Sequence, residues 1–172
     1  TDEIQSLLDT PEFNIVDELG TYYICFNVKS PMFEGKTPEQ AACMREAFSI
    51  LIDREYICEN IGQTGQVAAN AFIPLGMADG NGGIFKDASA WNYPNGADGY
   101  FPEEPNVEEA IELLKSAGFE FDANNMLSAS TPIAFEYLTN NTSGHIAIAE
   151  CLQQDFAQIG INMTIKSIDW TT

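Results

Sequence analysis

Positive charge is what this sequence has least of. Seven Lys and Arg and a single His stand against 26 Asp and Glu, a formal net charge of −19 at pH 7. Seven scattered cations cannot build a face that neutralises phosphates, which makes nucleic acid and anionic lipid poor partners. No apolar run approaches the roughly 20 residues of a membrane span. A charged stretch followed by an apolar one, the mark of a signal peptide, is also missing. The four cysteines, Cys25, Cys43, Cys58 and Cys151, never occur as C-x-x-C, which argues against a zinc ribbon or a thioredoxin-type site. Each lies in an apolar context and reads as a small buried hydrophobe. Any disulfide pairing is not legible from sequence.

What is present is enough apolar material for a core: 45% of the 172 residues are hydrophobic, so the acidity does not imply disorder. The length suits one domain, or a domain and a half. The first twenty residues are weakly patterned, with Ile4, Leu7 and Leu8 in a short helix that Pro11 interrupts. A start without Met or signal predicts a piece excised from a longer protein.

Thr21 to Val28 is rich in aromatic and branched residues and bounded by Gly20 and Pro31, which predicts a strand. Period two places Tyr22, Ile24 and Phe26 toward the core and Tyr23, Cys25 and Asn27 on a face that suits a cleft wall. Thr37-Pro-Glu-Gln40 is a capping box with proline at the first helical position, and Ala41, Met44, Phe48 and Leu51 follow at helical spacing to about Ile52. Asp53 caps a shorter helix with Ile57 and Ile61 inward, ending at Gly62. Residues 63–105 hold most of the glycines and form a long irregular stretch, whose aromatics (Phe72, Phe85, Trp91, Tyr93, Tyr100, Phe101) predict that it packs down. Within it, Asp79-Gly-Asn-Gly-Gly83 lacks the glycine placement and the closing Glu of a calcium loop. Asn106 caps a helix with Ala110, Leu113 and Leu114 as its stripe, closed by Gly118. Ile133–Thr139, His145–Ile159 and Ile161–Ile168 read as strand, helix and strand, a βαβ unit.

The chemistry of an enzyme is hard to assemble from these residues. The lone His145 opens a helix, no Ser sits in a nucleophile elbow, and no Cys has an activating context. Phosphate cradles are absent, and the single His offers no metal-ligand spacing. Carboxylate pairs such as Glu103-Glu104 and Glu108-Glu109 read as solvated faces, although an acidic chain always offers candidates for paired-carboxylate hydrolysis. The residues favour a binding or interaction domain, with no catalytic residue, metal or cofactor.

Gly20-Thr-Tyr-Tyr-Ile-Cys-Phe-Asn27, then Pro31 and Phe33, Met44-Arg-Glu-Ala47 and Ile52-Asp-Arg54 resemble, in order, the solute-binding proteins of peptide, oligopeptide and nickel-type ABC importers. Ala110-Ile-Glu-Leu-Leu-Lys-Ser-Ala-Gly118-Phe119 is similar to the family's later helix, and Leu152-Gln-Gln154 through Ile159-Gly-Ile-Asn162 to Asp169-Trp170 is similar to its closing βαβ. The resemblance covers about Gly20 to Trp170. It implies an α/β, periplasmic-binding-protein-like (class II) C-terminal lobe fragment, with a mixed sheet, flanking helices and a long irregular middle segment. Residues 1–20 would be an inter-lobe lead-in and 21–172 part of the lobe.

By the same resemblance, the function would be capture of extracytoplasmic peptides between two lobes and delivery to ABC permease subunits. A membrane link would come only through a lipid anchor on the parent protein. A metal chelate or sugar as ligand, and an acidic interaction domain without small ligand, are the alternatives. The implied ligand-binding residues are Tyr23, Cys25, Asn27, His145 and Trp170. At the Cys25 position, a relative with a carboxylate would make a polar contact that this chain cannot. Trp170 would wall a side-chain pocket, and His145 would meet a peptide carboxylate. Beyond Thr172 the family has an aspartate that holds the peptide's amino terminus. Arg45 and Asp53-Arg54 read as structural.

Overall fold

The computed structural model describes residues 3–86, 99–102 and 104–171. Trp91, Tyr93 and Glu103 lie outside them.

A short helix, α1 (Ile4–Leu7), buries only Ile4 before Pro11. Residues 13–27 then run extended to a single turn of 3-10 helix at Pro31–Phe33. Helix α2 (Pro38–Ile50) begins as its sequence dictates. The Thr37 hydroxyl accepts from the Gln40 N–H at 3.2 Å, and Gln40 Oε1 accepts from the Thr37 N–H at 3.1 Å. Asp53 Oδ1 accepts from the Tyr56 N–H at 2.8 Å and starts α3 (Arg54–Tyr56), which passes into a π-helical turn over Ile57–Gly62. Helix α4 (Val107–Ser116) is capped by Asn106, whose Oδ1 accepts from the Glu109 N–H at 3.1 Å. It stops at Gly118, where a φ of +88° is readily adopted only by glycine. Strand β1 (Ala134–Asn140), helix α5 (Ser143–Ala157) and strand β2 (Asn162–Ile168) complete the chain, and the strands pair in parallel from Ala134↔Asn162 to Asn140↔Ile168.

These elements share one core. Phe48 of α2 is fully buried, with its ring 5.9 Å from Phe26, 5.5 Å from Phe135 and 5.7 Å from Phe156. One residue therefore ties α2 to the extended run, to β1 and to α5. Met44, Leu114, Leu152, Ile159 and Met163 fill the space around it. The Asn106 N–H donates to Ile50 O at 2.9 Å and joins the start of α4 to the end of α2. Two cations hold turns through aromatic rings. Lys36 Nζ lies 4.0 Å from the Phe119 ring and donates to Ala117 O at the α4 terminus, and Arg54 lies 4.3 Å from the Phe101 ring. Arg45, over Phe33 at 5.7 Å, is structural in the same way.

Several expectations need correction. Among the described residues the sheet has two strands, both parallel, rather than being mixed. Of the run 21–28, residues 21–27 are extended but pair with no strand among the described residues, and Val28 already lies in a turn. The run's side-chain alternation holds at Ile24 and Phe26, which pack on the core, and at Tyr23, Cys25 and Asn27, which are exposed, but fails at Tyr22, which is exposed rather than inward. In α4 the buried stripe is Ala110, Ile111 and Leu114, with Leu113 only half-buried. The cysteines are all free and none is fully buried, with Cys25 exposed.

The long middle segment is irregular as expected, but it packs down only in part. Phe101 is half-buried beneath Arg54, whereas Phe72 and Tyr100 are exposed. Its two sides meet at Asn70, whose backbone oxygen accepts from the Tyr100 N–H and whose Oδ1 accepts from Lys86 Nζ. Asp79 forms a tight turn, with Oδ1 accepting from the Asn81 and Gly83 N–H groups.

Phe48→Ala should cost about 3–5 kcal/mol in urea unfolding, because it removes the ring shared by three neighbours. Val16→Ala, at a side chain 82% exposed, should change stability by less than about 0.5 kcal/mol.

Candidate functional site

Parallel strands joined by a crossover helix put both carboxyl ends at one end of the unit. In open α/β sheets ligands lie outside those ends. Here that end carries Asn140, the first turn of α5 with His145, and the Asp169-Trp170-Thr171 turn after β2.

His145 is half-buried and held on two sides. Its Nδ1 lies 2.7 Å from Asn140 Oδ1, and its ring centroid lies 5.4 Å from that of Tyr22, tilted by 45°. Tyr22 also neighbours Tyr137 of β1. Burial, and then the negative charge Tyr22 would carry if ionised, push the Tyr137 phenol up to about 12. Two residues missed from the sequence, Tyr22 and Asn140, thus meet at His145, with Tyr137 near Tyr22. The signal for Asn140 was its place before the Thr-Ser-Gly-His helix start, where short polar side chains bond to local backbone. Tyr22 gave no such signal, because period two assigned it to the core. It is in fact 59% exposed.

The remaining predicted residues are placed as follows. Tyr23 is 56% exposed, with its ring 4.8 Å from Phe72 of the middle segment. Asn27 Oδ1 accepts from the Lys29 N–H at 3.1 Å, so that side chain is engaged by its own turn. Cys25 shares the exposed face as a free thiol. Trp170 is 81% exposed, in a turn fixed by Asp169 Oδ1, which accepts from the Thr171 N–H at 2.9 Å and hydroxyl at 2.8 Å. Those bonds hold the Asp169 carboxyl below its usual range. Among the described residues Trp170 and Tyr23 make no ring contact with each other.

Two recesses flank α5. One of about 160 Å3 lies beside its first turn and is lined by Gln5, Asn60, Ile61, Gln63, Ser143, Gly144 and Ala147, none of them charged. The helix start has no side-chain cap and no acidic residue in its first turn, so its N–H groups and the positive end of its dipole are open. The other recess, about 400 Å3, lies at the far end of α5 and is lined by Asp53, Glu55, Glu104, Pro105, Asp155 and Gln158. Burial pushes the Asp155 carboxyl up, and it accepts from the Asp53 N–H at 3.2 Å. The larger recess therefore repels anions, and chemistry rather than volume favours the smaller end. Among the described residues no three His, Cys, Asp or Glu converge as a metal site, and no helix is long and apolar enough to cross a membrane.

The class this architecture belongs to is set by comparison with known families. The model of bacterial extracellular solute-binding proteins, family 5 (middle region), matches residues 1–172, and the chain belongs to that family. The dipeptide-binding protein DppE of Bacillus subtilis is 30% identical over 166 residues, covering 95% of this chain and 26% of its own length. The periplasmic oligopeptide-binding protein OppA of Salmonella typhimurium is 24% identical over 94% of this chain and 25% of its own. In structure, the oligopeptide-binding protein AppA of Bacillus subtilis, in complex with a nonapeptide, matches with a TM-score of 0.65 at 20% identity, over 99% of this chain and 31% of that one. The chain thus spans about a quarter of the length of these curated relatives. The expected α/β fold of this family is the one observed.

The raised Tyr137 phenol has a measurable consequence. A group whose folded value lies above its unfolded one stabilises the fold below the unfolded value and loses that contribution as pH rises through the folded value. Stability should fall between about pH 10, the ordinary phenol value, and about 12. In Tyr137→Phe that part of the alkaline loss should disappear, as read by urea unfolding across this range.

Proposed function

We propose that this chain is part of the C-terminal lobe of an extracytoplasmic solute-binding protein that captures short peptides and delivers them to an ABC permease. Residues 1–20 form the lead-in between lobes, and 21–172 belong to the lobe. The observation that carries this reading is the family match over the whole chain, with the 30% identity to a dipeptide-binding protein across 95% of it. The exposed aromatic and polar groups at the carboxyl end of β1 and β2 are chemically suited to the task.

The mechanism is binding physics alone. An extended ligand is held by its main chain through backbone and fixed polar groups, and roomy, wet pockets accept varied side chains. Tyr23, Cys25, Asn27 and Trp170 supply contact surface, with His145 as a polar group. Closing a second lobe over this one buries the peptide and makes the shape an importer recognises. No covalent step, metal or cofactor is required. The protein works in the periplasm or at the cell surface, where the parent is held by a lipid anchor.

Calorimetry of the full-length protein that carries this chain, titrated with a pool of random short peptides, tests the reading. Saturable binding is expected, weakened about five- to tenfold by Trp170→Ala through the loss of ~1 kcal/mol or slightly more of aromatic packing. A folded protein that gives no heat with any peptide pool would sink the assignment.

A further inference from the structure

We infer that Asn140 locks His145 in the tautomer protonated at Nδ1, so that Nε2 serves as a hydrogen-bond acceptor for an N–H group of the solute. Two distances carry this. The Thr142 backbone N–H, which can only donate, lies 3.2 Å from Asn140 Oδ1. That fixes the amide with its oxygen, not its nitrogen, toward the start of α5. The same oxygen lies 2.7 Å from His145 Nδ1. Two acceptors do not sit that close, so Nδ1 carries a proton and donates. In the neutral ring Nε2 then keeps its lone pair, because the hydrogen bond at one nitrogen decides the state of the other.

Nε2 has no hydrogen-bond partner among the described residues. The Tyr22 ring, 5.4 Å away between centroids, packs against the imidazole and helps to hold its orientation. A neutral ring so fixed meets a carboxylate lone pair to lone pair, but it accepts an amide N–H or an ammonium. His145 is thereby assigned a different part from carboxylate recognition, and Asn140 becomes its positioning residue. Only the nature of the incoming group rests on the peptide-binding reading; the tautomer does not.

The chain has one histidine, so long-range proton–nitrogen NMR of the imidazole reads this ring alone. At alkaline pH, where the spectrum itself reports a neutral ring, Nδ1 should be the protonated nitrogen and Nε2 the bare one. Asn140→Ala should release the ring to the Nε2–H tautomer that free histidine favours, and Asn140→Asp, which keeps the acceptor, should restore the lock. An Nε2–H ring in the unmodified chain, or an unchanged tautomer in Asn140→Ala, would overturn the assignment. The unmodified spectrum decides the tautomer even where the alanine variant fails to fold.

The full-length protein, in which the His145 signals are assigned by their loss in His145→Gln, is then titrated with trialanine and with N-acetyl-trialanine. Binding that leaves the ring neutral and shifts Nε2 as an acceptor supports the solute contact, and loss of that shift on acetylation assigns it to the ammonium rather than an amide. Protonation of Nε2 on binding would restore the carboxylate role and overturn the contact. Absence of any binding defeats the peptide reading and with it the contact, while the tautomer result stands or falls by itself.

Discussion

The burial of Phe48 is the contact on which the rest of the molecule depends. Helix α2 has a weak apolar stripe of its own, and an isolated helix of 13 residues is marginal in water. It is held because Phe48 meets Phe26, Phe135 and Phe156 at once. Phe135 and Phe156 touch each other as well, at 5.8 Å, so β1 and α5 are joined through the same cluster. Packing Phe26 into this cluster is what lays the preceding extended run across the core. From there Tyr22 reaches His145. The position of the candidate site is in this sense a consequence of hydrophobic packing several residues away from it.

Local chemistry was legible in the sequence wherever it is self-contained. The capping box at Thr37, the caps at Asp53 and Asn106 and the stop at Gly118 involve residues three or four apart, and each formed as read. The βαβ unit was legible for a similar reason: period two and period 3.6 each mark a half-buried element. The strand over 21–28 was only half legible. Alternation reports which side chains face the core, and Ile24 and Phe26 do, but it carries no information about whether a backbone partner stands alongside. Tyr22 shows the limit of that pattern. Period two gave it a core assignment, yet its ring settled against His145, a contact 123 residues away along the chain that no local pattern encodes.

The scarcity of cations shapes the surface in a similar way. The two ion pairs among the described residues, Lys115 with Glu112 and Lys166 with Glu136, are solvent-exposed. Pairs of that kind add little stability. The cations Lys36, Arg45 and Arg54 do structural work: all three lie over aromatic rings, and Lys36 and Arg54 also donate to backbone carbonyls. With so few bases, most carboxylates are left to solvent, and the chain cannot offer an anionic ligand a conventional Lys or Arg clamp. The proposed recognition would rest instead on neutral dipoles, aromatic faces and open backbone groups.

Helix α5 brings these constraints together because its ends differ in kind. Its C-terminal end already carries the negative pole of the helix dipole, and Asp53, Glu55, Glu104 and Asp155 line the recess there. Burial raises the Asp155 carboxyl, the response expected of an acid set among other acids away from water. The N-terminal end has open N–H groups, an uncharged recess and the Tyr22–His145–Asn140 group. On the proposed reading, a solute carrying both donors and acceptors would find partners at this second end: N–H groups for its carbonyl oxygens, and a lone pair on His145 for its own N–H. That pairing suits a peptide main chain, which repeats one donor and one acceptor along its length. The polarity of one helix therefore points to the same end of the fold as the carboxyl termini of its two parallel strands.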